Sequence, residues 1–202
     1  MITIIDSGLG NLGSIQNMLK RIGEDSIISS NPEIIQEAAK IILPGVGKFD
    51  AGIMGLKERN LIPVLNRKVL DEQTPILGIC LGMQLFMNGS DEGKEEGLRW
   101  INGYVHKFPS AVGIKIPHMG WNSVHIQATN PLTEELPLPA KFYFVHSYYV
   151  SAEENDIFLT TQYGIAFVSG IHHKNIYGVQ FHPEKSHKYG MKLLNNFAKL
   201  RV

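Results

Sequence analysis

The chain has 202 residues, 44% of them hydrophobic and 19% charged, an ordinary globular balance that excludes a mainly disordered, collagen-like or coiled-coil protein. Its 19 Lys and Arg are matched by 19 Asp and Glu, so there is no global basic field to hold nucleic acid or an anionic membrane surface. No apolar run approaches the ~20 residues that span a bilayer, and a single cysteine excludes an intrachain disulfide framework.

One domain is expected at this length. The chain opens on the strand-like Ile2-Thr3-Ile4-Ile5 instead of a basic segment with a cleavage site, so the expectation is a cytoplasmic protein. Short apolar runs then alternate with helical periodicity, the pattern of parallel strands joined by crossover helices. Strands are predicted at Ile2 to Asp6, Ser26 to Ser29, Ile41 to Leu43 and Ile76 to Ile79. Helices are predicted at Asn11 to Ile22, Pro32 to Ala38, Asp50 to Lys57, Pro63 to Asp71 and Leu81 to Met87, several opened by an Asn, Asp or Pro. From Trp100 the pattern changes to β-rich runs separated by Pro, Gly and Asn: Tyr104 to Phe108, Ser123 to Ile126, Lys141 to Tyr149, Phe158 to Gln162, Ala166 to His172 and Ile176 to Gln180. This half is expected to be antiparallel. A closing amphipathic helix, Lys185 to Leu200, would pack Leu193, Leu194, Phe197 and Leu200 on the sheet. No repeat, low-complexity tract or long linker marks a fused second module.

The cysteine lies in Pro75-Ile-Leu-Gly-Ile-Cys80-Leu-Gly-Met-Gln84. Gly78 and Gly82 flank it two residues to either side, between a buried strand and a helix. That spacing suits a nucleophile on a sharp turn, where a side chain at either glycine would strike its neighbours. The amides and dipole of the following helix would favour a thiolate and a developing oxyanion. A lone cytosolic cysteine is more commonly a buried structural residue, and spacing alone does not separate the two. A second element, Gly178-Val-Gln-Phe-His182-Pro-Glu184, favours the nucleophile. Two residues apart on an extended segment, His182 and Glu184 point the same way. His182 could take the thiol proton while Glu184 fixes its tautomer. A surface ion pair or two metal ligands are the alternatives. The absence of CxxC, HExxH or regularly spaced histidines weakens the metal reading, and neither metal nor cofactor is expected. His106, His125, His172, His173 and His187 read as surface or satisfied residues.

Gly8-Leu-Gly10-Asn-Leu-Gly13 follows a strand and opens a helix, as a dinucleotide fingerprint does. The confirming acid at the end of the second strand is missing, because that end reads Ser29-Ser30-Asn31-Pro32. These glycines are read as a tight turn.

Gly-Ile-Cys80-Leu-Gly-Met-Gln84 together with Phe-His182-Pro-Glu184 resembles the class I, triad-type glutamine amidotransferases. Pro44-Gly-Val-Gly47, Pro117-His-Met-Gly-Trp-Asn122 and Phe144-Val-His-Ser-Tyr148 resemble one branch, the glutaminase subunits of imidazole glycerol phosphate synthase. The resemblance runs from Asp6 to the last helix. It implies one flavodoxin-like α/β domain over residues 1–202, with a largely parallel central sheet flanked by helices and an antiparallel C-terminal half. It further implies glutamine hydrolysis by Cys80, His182 and Glu184, and an oxyanion hole from the amides of Leu81 and of Val46 or Gly47. By the same resemblance Gln84, Glu92, His146, Ser147 and Tyr148 bind L-glutamine, and Met119, Trp121 and Tyr143 face the partner. That partner is expected to be a separate (β/α)8-barrel cyclase in a heterodimer; core aromatics are the alternative for those three residues. A sugar amidotransferase of surface-polysaccharide synthesis as ammonia acceptor, or a catalytically silent regulatory module, are the competing readings.

Overall fold

A computed structural model describes residues 1–109 and 113–200; the last two residues of the expected 1–202 domain lie outside the described residues. The first half builds a parallel layer. Strands β1 (Ile2–Ile5), β2 (Ser26–Ser29), β3 (Lys40–Gly45) and β4 (Ile76–Cys80) lie in the order β2-β1-β3-β4, all parallel. The next strand across is β11 (Ile176–Val179), also parallel to β4. Beyond it the sheet turns antiparallel through β10 (Ile165–His173), β9 (Ile157–Tyr163), β6 (His118–Ile126) and β7 (Lys141–His146). A side branch pairs β5 (Gly103–Lys107) with β8 (Tyr148–Ala152), which joins β10.

Both faces of the parallel layer are covered, which is why its strands are near-continuous apolar runs. Alternation assigns Ile42 and Leu77 to one side with α1 (Leu12–Arg21) and α6 (His187–Ala198). Ile41, Leu43 and Ile76 go to the other, with α3 (Phe49–Glu58) and α4 (Ile62–Asn66); α2 (Pro32–Gln36) adds Ile35 there. On α6, Leu193, Leu194 and Phe197 are fully buried, each contributing about 1.5–3 kcal/mol, and Leu200 packs at the edge as expected.

Several bounds differ from the sequence reading. The expected strand Lys141 to Tyr149 breaks at Ser147, because β7 pairs with β6 while β8 turns to pair with β5 and β10. Strand β6 begins at His118, five residues early, through its pairing with β7. The Pro63 to Asp71 helix is α-helical only to Asn66 and continues as a π-helical turn, Arg67–Asp71. After β4 the α-helix is a single turn, α5 (Leu81–Gln84), so what it offers is first-turn amides more than a full helix dipole. The closing helix starts at His187, after a 3-10 turn at Pro183–Lys185.

Cys80 sits at φ 55°, ψ −110°, a conformation costing a non-glycine residue about 1–3 kcal/mol. The turn is closed by tight packing. A Cβ at Gly82 would lie 1.8 Å from the Leu43 carbonyl oxygen, and one at Gly78 would lie 2.6 Å from the Phe86 ring. Gly82→Ala is therefore expected to lower stability by about 1–3 kcal/mol, read as a fall in the urea midpoint; an unchanged midpoint would contradict this packing.

Candidate active site

The register of three neighbouring parallel strands sets the site. Gly45 of β3 pairs with Cys80 of β4, and Ile79 pairs with Val179 of β11, so the segments that follow emerge side by side at the C-terminal edge of the sheet, where open α/β folds bind ligands. They are the Val46-Gly47 turn, the Cys80-Leu81 elbow and the Gln180 to Glu184 segment. A cleft of about 300 Å³ is lined by Val46, Gly47, Cys80, Leu81, Gln84, Glu92, His146, Ser147 and Tyr148, with Pro117 and Val145 completing its wall. All the residues expected to form the oxyanion hole and bind substrate thus line one cleft.

His182 and Glu184 are almost fully buried, and Nδ1 of His182 lies 2.8 Å from Oε1 of Glu184. The backbone that achieves this is not the extended segment expected. His182 is extended, but Pro183–Lys185 is a 3-10 turn that folds the carboxylate back to the ring. Ser186 locks the turn, its hydroxyl donating to the His182 carbonyl at 2.6 Å and accepting from the Tyr143 amide at 3.0 Å. Burial alone would lower the proton affinity of His182, but Cys80 and Glu184 beside the ring outweigh it and push the pKa up to about 10. Its Nε2 makes no hydrogen bond.

Cys80 has a further neighbour that sequence reading missed. The Gln180 side-chain amide donates to Sγ at 3.6 Å and accepts from Nε2 of Gln84 at 3.0 Å. Gln180 is fully buried. Period-two alternation along the segment leading to His182 puts 180 and 182 on one face, which is the signal that could have found it. Gln84 also donates to the Tyr148 carbonyl at 3.2 Å, so its amide ties the cleft wall to the elbow.

His146 lines the cleft but its ring turns inward. Nδ1 lies 2.8 Å from the Tyr148 carbonyl and Nε2 lies 3.0 Å from Nδ1 of His118, while Asn122 lies 3.2 Å from Nε2 of His118. One proton arrangement satisfies the chain: His146 donates to Tyr148, His118 donates to His146, and Asn122 donates to His118. Both rings must then be neutral. Burial drives both down, His118 to about 4 and His146 to about 3, the adjacent rings adding to the effect at His146 against its bond to Tyr148. Glu92 stands at the cleft rim with Oε2 accepting from the Phe49 amide at 2.8 Å.

Met119 and Trp121 are 61% and 47% exposed. They pair with Val145 and Tyr143 across β6 and β7. His187 stacks on Trp121, rings parallel to 1° with centroids 5.4 Å apart, and the Lys185 ammonium lies 5.7 Å from the Tyr143 ring centroid. This aromatic face continues from Val145 in the cleft wall. His106, His172 and His173 have local partners in Ser151, the Lys174 carbonyl and Asp156. Among the described residues no cluster of three His, Cys, Asp or Glu is spaced to hold a metal, and no helix is long and apolar enough to cross a membrane.

A buried histidine–carboxylate pair beside a cysteine on a strained strand-to-helix turn is an arrangement suited to nucleophilic catalysis by the thiol. The chain belongs to the class-I glutamine amidotransferases, which it matches over residues 3–200. It is 56% identical over 200 residues to imidazole glycerol phosphate synthase subunit HisH 2 of Methanococcus maripaludis, covering 98% of this chain and 99% of that one. It is 45% identical over 201 residues to the subunit HisH 2 of Pseudomonas aeruginosa, covering 99% and 100%. Among solved structures, a putative GMP synthase subunit from Thermoplasma acidophilum superposes with a TM-score of 0.72 at 22% identity, covering 98% of this chain and 91% of that one. The glutaminase domain of Trypanosoma brucei CTPS does so at 0.66 and 17%, covering 100% and 94%. At these identities the two structures bear on the fold.

The His118–His146 pair generates a pH prediction. An unfolded histidine titrates near ~6.5, and both folded values lie below that. The stability they contribute is therefore full above about pH 6.5 and is lost as pH falls toward about 4 and about 3. The thermal midpoint should fall between about pH 6.5 and 5, and the fall should be shallower in His118→Gln; an identical slope in parent and variant would contradict the neutral pair.

Proposed function

We propose that the chain is the glutaminase subunit of an imidazole glycerol phosphate synthase, a single domain over 1–202 that releases ammonia from glutamine for a separate cyclase subunit. The observation that carries the chemistry is the convergence of Cys80, the His182–Glu184 pair and the cleft at one sheet edge. His182 takes the proton of the Cys80 thiol, a transfer favoured by the raised proton affinity of the ring. The thiolate attacks the glutamine carboxamide carbon, and the oxyanion is held by the Leu81 amide and an amide of Val46 or Gly47. As the C–N bond breaks, His182 gives its proton to the leaving ammonia. Water then adds to the γ-glutamyl thioester, its proton returning to His182, and the C–S bond breaks to release glutamate and the thiolate. Glu184 steadies the imidazolium throughout, and the Gln180 amide stabilises the thiolate.

In this reading Gln84, Glu92 and the His146 to Tyr148 segment bind glutamine, with His146 acting through the Tyr148 carbonyl it holds. Met119, Trp121 and Tyr143 form the docking face for the partner, read as a (β/α)8 barrel. Supporting this, large exposed aromatic and Met side chains are what interface centres are made of, and here they adjoin the cleft wall. The shared name of the curated relatives favours the histidine-pathway acceptor, which converts with ammonia to imidazole glycerol phosphate and AICAR, over sugar amidation.

Cys80→Ala in the complex should cut glutamine-dependent synthesis by at least about 10³-fold while synthesis from supplied ammonium persists; coupled assays with each nitrogen donor decide this, and retained glutamine use would refute the nucleophile. Glutamine hydrolysis by the isolated chain should rise when the cyclase and its nucleotide are added. Stimulation by a sugar amidotransferase alone would favour the other acceptor.

A further inference from the structure

We propose that Asp50 is a positioning residue for the glutamine site, acting with Glu92 as a two-carboxylate clasp that ties the first turn of α3 to the 90–96 loop. The two carboxylates bind in opposite directions. Asp50, on α3, accepts from the Lys94 amide with both oxygens at 3.0 Å and from the Glu95 amide with Oδ1 at 3.0 Å. Glu92, on the loop, accepts from the Phe49 amide, the first of α3, at 2.8 Å. Each segment thus satisfies orphan amides of the other, as reciprocal caps do within one helix. The loop is shaped to the carboxylate: a Cβ at Gly93 would lie 1.8 Å from Oδ1 of Asp50. The Glu95 and Lys94 amides hold Asp50 below its ordinary carboxylate value, so Asp50 is ionised at neutral pH, and a Lys57–Glu95 ion pair adds a contact about two turns further along the same helix face.

Position in the fold gives the clasp its consequence. Phe49 follows the Val46-Gly47 turn by two residues, and Glu92 lines the same cleft as that turn. A single device therefore sets the acidic wall of the pocket and the anchored end of the turn. Glu92 is free to meet the ammonium of glutamine with one oxygen while the other keeps the α3 amide. Asp50 is not among the residues that line the cleft; it acts by holding the loop that carries Glu92.

The proposal rests on the glutaminase reading above. The test uses the full chain in complex with its partner subunit, comparing parent, Asp50→Ala and Asp50→Asn, each also combined with Glu92→Ala. Glutamine KM and kcat are measured, together with hydrogen exchange of the Phe49, Lys94 and Glu95 amides. Asp50→Ala is expected to raise KM about 10-fold with kcat within about 3-fold, and to speed exchange at all three amides. Asp50→Asn, which keeps one oxygen acceptor, should fall between. In the Glu92→Ala background the Asp50 effect on kcat/KM at low glutamine should shrink to less than about 2-fold, because the two residues act as one unit. An active parent whose KM ignores Asp50, or an Asp50 effect undiminished without Glu92, overturns the clasp alone. A parent complex that does not hydrolyse glutamine overturns the function and the proposal with it.

Discussion

The pairing of Gly45 with Cys80 and of Ile79 with Val179 depends on parallel strands whose side chains are buried on both faces, so no strand can slip. A one-residue shift of β4 would exchange the two apolar sets across the sheet and carry Cys80 away from both the Val46-Gly47 turn and His182. The strained conformation at Cys80 persists because the glycines on either side of it are tightly packed, Gly82 against the Leu43 carbonyl and Gly78 against the Phe86 ring. The core therefore acts on the chemistry directly: it holds a thiol where three strand ends converge.

Histidines at this edge of the sheet are divided by their partners. His182 is deeply buried, yet the carboxylate of Glu184 and the Cys80 sulfur make its charged form the favoured one. His118 and His146 are as deeply buried but meet only a carbonyl, an amide and each other, so burial wins and both stay neutral. One ring can move protons; the other two are fixed donors that hold the Ser147-Tyr148 wall. Gln84 and Gln180 join that wall to the sulfur by neutral hydrogen bonds, adding rigidity without adding charge.

What the sequence made legible was local and periodic. The strands and helices of the parallel half follow from apolar runs and caps, and the elbow and the His182-Pro-Glu184 segment are contiguous motifs. What it concealed depends on long-range pairing. The break at Ser147 is decided by which strands compete for the segment, and the early start of β6 by its partner β7. The His118–His146 contact joins residues 28 apart, and the Asp50 clasp joins residues 44 and 45 apart. In the sequence Glu92 is one of several carboxylates between Asp91 and Glu96; its bond to the Phe49 amide distinguishes it. The extended geometry assumed for His182 to Glu184 was replaced by a 3-10 turn, because Ser186 gives the turn hydrogen bonds that a straight segment would lack.

The central claim is that Cys80 becomes covalently acylated by glutamine. The chain has a single cysteine, so a thioester has one possible address. Rapid acid quench of the complex turning over glutamine, followed by peptide mass spectrometry, measures it directly. A γ-glutamyl adduct on the Cys80 peptide, removed by hydroxylamine, is the predicted result; ammonia release at full rate with Cys80 unmodified, or with the adduct on another residue, would contradict it.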